Sequence, residues 1–237
     1  MHLQVINSLL VYLTVALPTG SAAVFYDFGQ AWQEAVSYVE ERHEAWNEIW
    51  TAMEVPADVA EAVVFPEMLR YSVLQDQLET SAVSGTYVTM GSKGFDFSVG
   101  RFQMKPSFVE RLEQRWMRSG FPAKYELYFD TADNRNARRV RLSRISDELW
   151  QCIYVAAFIK LTYLDYQGLA DLPIADQVRL IATAYNRGII SSMAGGGSIP
   201  ELRTLAAEQT FHTALIATKD TPRFCYADLS LQFFEQK

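Results

Sequence analysis

Cysteine and histidine are scarce in this chain, with two and three among 237 residues. Two cysteines exclude a disulfide-rich scaffold. His2, His43 and His212 stand too far apart for zinc-ligand spacing, and no metal or organic cofactor is implied. Glycine and proline are few, 12 and 8, while 49% of residues are apolar, which excludes a collagen-like repeat and a disordered chain. Basic residues are in deficit, 21 against 28 acidic, for a net charge of −7. A duplex nucleic-acid binder carries a basic face, so no nucleic-acid partner is expected. The apolar run Leu9–Leu17 covers nine residues. That is too short to cross a bilayer, so no stable membrane span is expected. There is no internal repeat and no low-complexity segment.

Met1–Ala23 contains no Asp, Glu, Lys or Arg. Its apolar run is followed by Pro18-Thr19-Gly20 and then Ser21-Ala22-Ala23. Small residues at Ser21 and Ala23 fit a signal-peptidase site, so residues 1–23 read as a leader and the chain as exported, to periplasm or cell envelope. The lack of Lys or Arg before the apolar run departs from that pattern; the alternative is a buried N-terminal helix. No cysteine near the site offers a lipid anchor. Export makes a Cys152–Cys225 disulfide available, although Cys152, within an apolar helical run, equally fits a small core residue.

Residues 28–54 carry apolar side chains at helical spacing (Phe28, Trp32, Val36, Val39, Trp46, Ile49) and predict one amphipathic helix or two. Pro56 starts another that runs to Pro66, and a further helix covers Glu67 to about Ala82. Residues 83–99, glycine-rich with short apolar alternation, read as a loop with a small hairpin. Helices follow from Pro106 to Trp116, across 140–166, across 174–187 up to Gly188, and from Pro200. Ala194–Ser198 is a loop, and an aromatic tail closes the chain. The predicted class is mainly α with a small β or irregular patch. The basic run Arg135–Arg144 reads as a solvated helix face or as a contact for an anionic polymer.

Three segments place polar residues within apolar surroundings. Glu67 follows the run Ala62–Phe65; apolar neighbours raise a carboxyl's pKa, as a general acid near neutral pH requires. On a helix surface it would simply pair with Arg70. Gly100-Arg101-Phe102-Gln103-Met104-Lys105-Pro106 offers a glycine for close approach and an amide that donates and accepts. Ala184-Tyr185-Asn186-Arg187-Gly188 puts a phenol and an amide at a helix end.

In this order the three segments resemble the lysozyme-like lytic transglycosylases of the soluble type. That family has a helix ending in a catalytic Glu, a Gly-Leu-Met-Gln-x-x-Pro loop and an Ala-Tyr-Asn-Ala-Gly motif. Gly100, Gln103 and Pro106 match the loop; Ala184, Tyr185, Asn186 and Gly188 match the last motif. The FPExxRYS and DFSxGxFQMKPSF segments also resemble a group of uncharacterised exported bacterial proteins, which supplies no activity. The resemblance divides the chain into an N-terminal helical extension at 24–56, a lysozyme-like domain at 57–190 and a C-terminal extension at 191–237 packed on it. Two departures stand out. Met68 replaces the family's Ser, and Gly100 lies 33 residues after Glu67, a longer interval than the family's. Glu79, followed by Thr80-Ser81, is the rival acid; Glu67 is preferred because it follows the apolar run.

The resemblance implies cleavage of the β-1,4 bond between N-acetylmuramic acid and N-acetylglucosamine in peptidoglycan strands, with one Glu as acid and then base. Gly100, Gln103, Tyr185 and Asn186 would meet the substrate, with Tyr185 donating to it or to the Glu. A lysozyme-type hydrolase needs a second carboxylate, for which Asp96 is the candidate. A third reading is a non-catalytic module that binds wall glycan or an envelope protein partner.

Overall fold

A computed structural model describes residues 25–74, 81–94, 96–191, 193–214 and 217–237. The leader read at 1–23 and the rival acid Glu79 lie outside the described residues. The described chain is mainly α-helical with one two-stranded sheet. Among the described residues no helix is long and apolar enough to cross a membrane.

The first helix, α1 (Gln30–Ala52), is continuous and buries Trp32, Ala35, Val39, Trp46 and Trp50. These recur every three, four or seven residues and so form one stripe. Two indole N–H groups staple that stripe to α7 (Glu148–Asp165): Trp46 Nε1 donates to Glu148 Oε1 at 3.1 Å, and Trp50 Nε1 to the Cys152 carbonyl at 3.1 Å.

Pro66 does not separate two helices. It sits inside α2 (Ala57–Leu74), a single helix running through it. An interior proline removes one ladder hydrogen bond and crowds the preceding turn. Here that turn is buried on all sides, from Val59 to Leu69, and packing outweighs the local cost. The Tyr226 hydroxyl donates to the Val63 carbonyl at 3.0 Å, supporting the turn before the proline. On the same helix the Phe65 ring stacks on Phe233, centroids 4.0 Å apart at 11°.

Residues 83–99 are not a hairpin. They contribute α3 (Ser81–Met90) and a turn, and the only pairing there among the described residues is the isolated bridge Val99–Met104. Tyr87 explains the helix: its buried ring carries a hydroxyl that donates to Glu110 Oε1 at 2.9 Å and accepts from Arg141 Nη1 at 2.9 Å. Next come α4 (Pro106–Met117) and the short α5 (Phe121–Tyr125).

The helix expected over 140–166 is two. The first, α6 (Arg135–Ile145), ends at Ser146, and Asp147 caps α7 by accepting from the Trp150 N–H at 2.9 Å. The basic run is partly consumed inside the fold. Arg141 is buried against Glu113 at 2.6 Å, and Arg138 pairs with Asp133 at 2.5 Å. A 3₁₀ turn, Leu169–Asp171, leads to α8 (Ile174–Arg187), which ends at Gly188 with φ +60°, and then to α9 (Ile199–Ala206).

The C-terminal stretch forms β1 (Gln209–Phe211), antiparallel to β2 (Phe224–Cys225), and then α10 (Tyr226–Glu235). Helix α10 packs on α2 and α8, and α1 packs on α2 and α7, so both ends share one core with the middle of the chain. Cys152 and Cys225 are both buried and free, the Cys225 thiol donating to the Ala206 carbonyl.

Candidate active site

A cleft of about 460 Å³ opens between α2, the 96–107 loop, α4 and the end of α8. Four segments singled out in the sequence meet there: Glu67 with Arg70, Asp96, Gln103, and Tyr185 with Asn186. Helix α2 delivers Glu67 from its buried middle, one residue after Pro66. The residue is only 6% exposed. Its Oε2 has no hydrogen-bond partner, and Arg70 Nη1 stands 3.7 Å away.

Burial disfavours the carboxylate and raises the Glu67 pKa from 4.5 to about 7. The Arg70 charge and the nearby Tyr226 hydroxyl oppose the rise without cancelling it. Two phenols flank the carboxyl, Tyr185 from α8 and Tyr226 from α10. Burial first, and the Glu67 charge second, push both phenol pKa values well up, so both stay protonated.

The 99–104 turn gets its shape from two left-handed residues. Gly100 has φ +71°, and a Cβ there would lie 1.5 Å from Gln151 Nε2. That close approach is to the protein's own buried amide; Gly100 is not among the residues lining the cleft. Gln103 has φ +51°, uncommon for a residue with a side chain, and its Nε2 donates to the Gly100 carbonyl at 2.9 Å. The side chain lines the cleft, and its Oε1 has no partner among the described residues.

Tyr185 donates its hydroxyl proton to the Phe102 carbonyl at 2.8 Å. In this structure that proton goes to the turn and not to Glu67, so the phenol ties α8 to the turn while its ring lines the cleft. Asn186, next in sequence, is half-buried in the cleft wall, its side-chain amide free among the described residues. Asp96 is exposed and spent on α4, accepting from Ser107 N at 2.8 Å and Ser107 Oγ at 2.7 Å. It holds the loop against the helix's positive end.

Sequence reasoning missed Tyr226 and Arg111. Tyr226 lies 159 residues beyond Glu67, and no spacing announces it. Arg111 stands one helical turn past Ser107 on α4 and reaches across the cleft to the Gly188 carbonyl at 3.2 Å. With Lys105 and Arg187 it makes the far lip basic.

The arrangement offers a carboxyl half-protonated near neutral pH, two amide side chains with unused polar atoms, and a basic rim. It holds a proton for donation, and among the described residues lining the cleft the other carboxylate, Asp96, is engaged by Ser107. Among the described residues no group of three or more His, Cys, Asp or Glu is placed to hold a metal ion. Comparison with protein-family models, with curated proteins and with solved structures finds no match.

Proposed function

We propose that the chain is a peptidoglycan lytic transglycosylase, exported to the cell envelope, with Glu67 as its one acid and base. The observation that carries the reading is the buried Glu67 carboxyl with an unpartnered oxygen and a pKa of about 7, open to a cleft lined by Gln103 and Asn186. Such a carboxyl is protonated in a large fraction of molecules at neutral pH and can still act as a base once ionised.

In the first step protonated Glu67 donates to the glycosidic oxygen between N-acetylmuramic acid and N-acetylglucosamine. The C1–O bond breaks, the leaving sugar departs with the proton, and positive charge develops on the muramyl ring. In the second step ionised Glu67 takes the proton from that ring's own C6 hydroxyl. The oxygen closes on C1 to give a 1,6-anhydro end, no water is consumed, and Glu67 is protonated again. One carboxylate suffices, which agrees with Asp96 having both oxygens engaged by Ser107. Gln103 and Asn186 supply donors and acceptors for the sugars' hydroxyl and acetamido groups. Mass spectrometry of peptidoglycan digests tests the reading through the chemistry of the new ends: anhydro for the transglycosylase, reducing for a hydrolase.

A further inference from the structure

Arg101 belongs to the turn that shapes the cleft, two residues before Gln103. Its guanidinium carbon lies 3.7 Å from the centre of the Tyr71 ring and 4.3 Å from that of Tyr38. The two rings come from α2 and α1, so the planar group is gripped by two helices. The row extends one step further, with the Arg42 guanidinium 3.6 Å from the Tyr38 centre.

The two arginines differ in how their charge is met. Arg42 contacts Glu148 at 3.1 Å and Glu41 at 3.2 Å. Tyr38 also spends its hydroxyl on Glu148, at 2.5 Å. Arg101 has neither a carboxylate within ion-pair distance nor a hydrogen bond among the described residues. In a chain of net charge −7 carboxylates are plentiful, yet among the described residues none is set against this half-buried cation. A brace between α1 and α2 would need only apolar contact; leaving a partly desolvated charge unpaired has a cost.

The place is informative too. Tyr71 follows Glu67 by four residues on α2, so it shares that face one turn along. Arg70, between them, lines the cleft. A stacked guanidinium is already ordered, and its in-plane N–H groups match a carboxylate two at a time. Because the stacking fixes the side chain beforehand, little ordering cost remains for a ligand to meet.

We infer that Arg101, held by Tyr38 and Tyr71, binds a carboxylate of the glycan strand one helical turn along from the bond at Glu67. This rests on the glycan-cleaving reading above. The carboxylate has two sources on such a strand: the lactyl group of the muramyl sugar when its peptide is absent, or the stem peptide when present.

Binding, not turnover, tests it. All proteins carry Glu67→Gln, so that no strand is cut during calorimetric titration. Three soluble strands are compared: one with stem peptides, one peptide-free with lactyl carboxylates, and the latter with each lactyl group converted to its methylamide. At least one carboxylate strand binds about tenfold more tightly than the methylamide. A tight peptide-free acid identifies the lactyl group; tightness of the peptide-bearing strand alone identifies the stem. Arg101→Met removes the difference while leaving the methylamide strand's affinity unchanged, and Arg101→Lys restores part of it.

Equal affinity of the unaltered stack for all three strands overturns the inference, as does absence of binding to any. So does an Arg101→Met variant that weakens all three alike, which is what a brace does. The comparison among strands needs no Arg101 variant, so it stands even if Arg101→Met fails to fold. Cleavage by the parent chain without carboxylate preference sinks this inference alone, whereas carboxylate preference without cleavage sinks the catalytic reading alone.

Discussion

Replacing Glu67 with glutamine removes a group whose protonation is coupled to folding. In the folded chain its pKa is about 7, against an ordinary 4.5, because burial disfavours the charge. The folded state therefore keeps a proton that the unfolded chain releases on passing above pH 4.5. The stability this group contributes is fully present below that pH and is lost as the pH rises through 7. The interval corresponds to about 3 kcal/mol. The glutamine variant carries no such dependence. Between about pH 4 and pH 8 it gains about 3 kcal/mol on the parent, or about 6–12 °C in Tm for a chain of this size. Any constant cost of seating an amide beside Arg70 is the same at both ends and drops out. Thermal unfolding of both proteins across that range, followed by circular dichroism, measures the difference. Parallel Tm profiles would refute the reasoning, because they would mean that Glu67 is ionised in the folded chain as in the unfolded one.

Further outcomes follow from the same geometry. Gly100→Ala sets a Cβ against Gln151 Nε2 at a backbone φ of +71° and is expected to cost about 2 kcal/mol or more in urea unfolding; a loss below about 0.5 kcal/mol would contradict the close packing. Arg141→Met strands the buried Glu113 carboxylate at a cost of about 3–5 kcal/mol, and adding Glu113→Leu recovers most of it. Asp96→Ala loses the link to Ser107 and costs about 1 kcal/mol, with anhydro product ends retained; a folded variant without any cleavage would favour the hydrolase.

The sequence was most readable where side-chain pattern and local signals agree. Helix α4 begins at the proline expected to start it, and α8 runs from Ile174 to Arg187 as its spacing predicts, stopped by Gly188. Pro66 misleads because a proline normally ends a helix, but here both flanking turns are buried by other elements. Residues 83–99 mislead for a related reason. Gly85 and the threonines argue against a helix, while the bonds that fix Tyr87 reach Glu110 and Arg141, far along the chain. Asp147 marked the break between α6 and α7 through its capping chemistry, hidden within an otherwise helical stretch.

The cleft shows the same division. Glu67, Gln103, Tyr185 and Asn186 lie in motifs that spacing exposes, and the fold lines the cleft with all four. Their partners were illegible: Tyr226 comes from the last helix, and the Tyr38–Arg101–Tyr71 stack joins three separate segments. Only packing brings such residues together, so no local pattern records them. Gly100 was legible as a required glycine, but the group that approaches it is Gln151.

The most direct test of the central claim is mass spectrometry of purified peptidoglycan digested by the chain lacking residues 1–23, with Glu67→Gln and Glu79→Gln run beside it. The account predicts 1,6-anhydromuramyl ends from the parent and from Glu79→Gln, and none from Glu67→Gln. Undiminished anhydro ends from a folded Glu67→Gln protein, or no product from a folded parent, would contradict it.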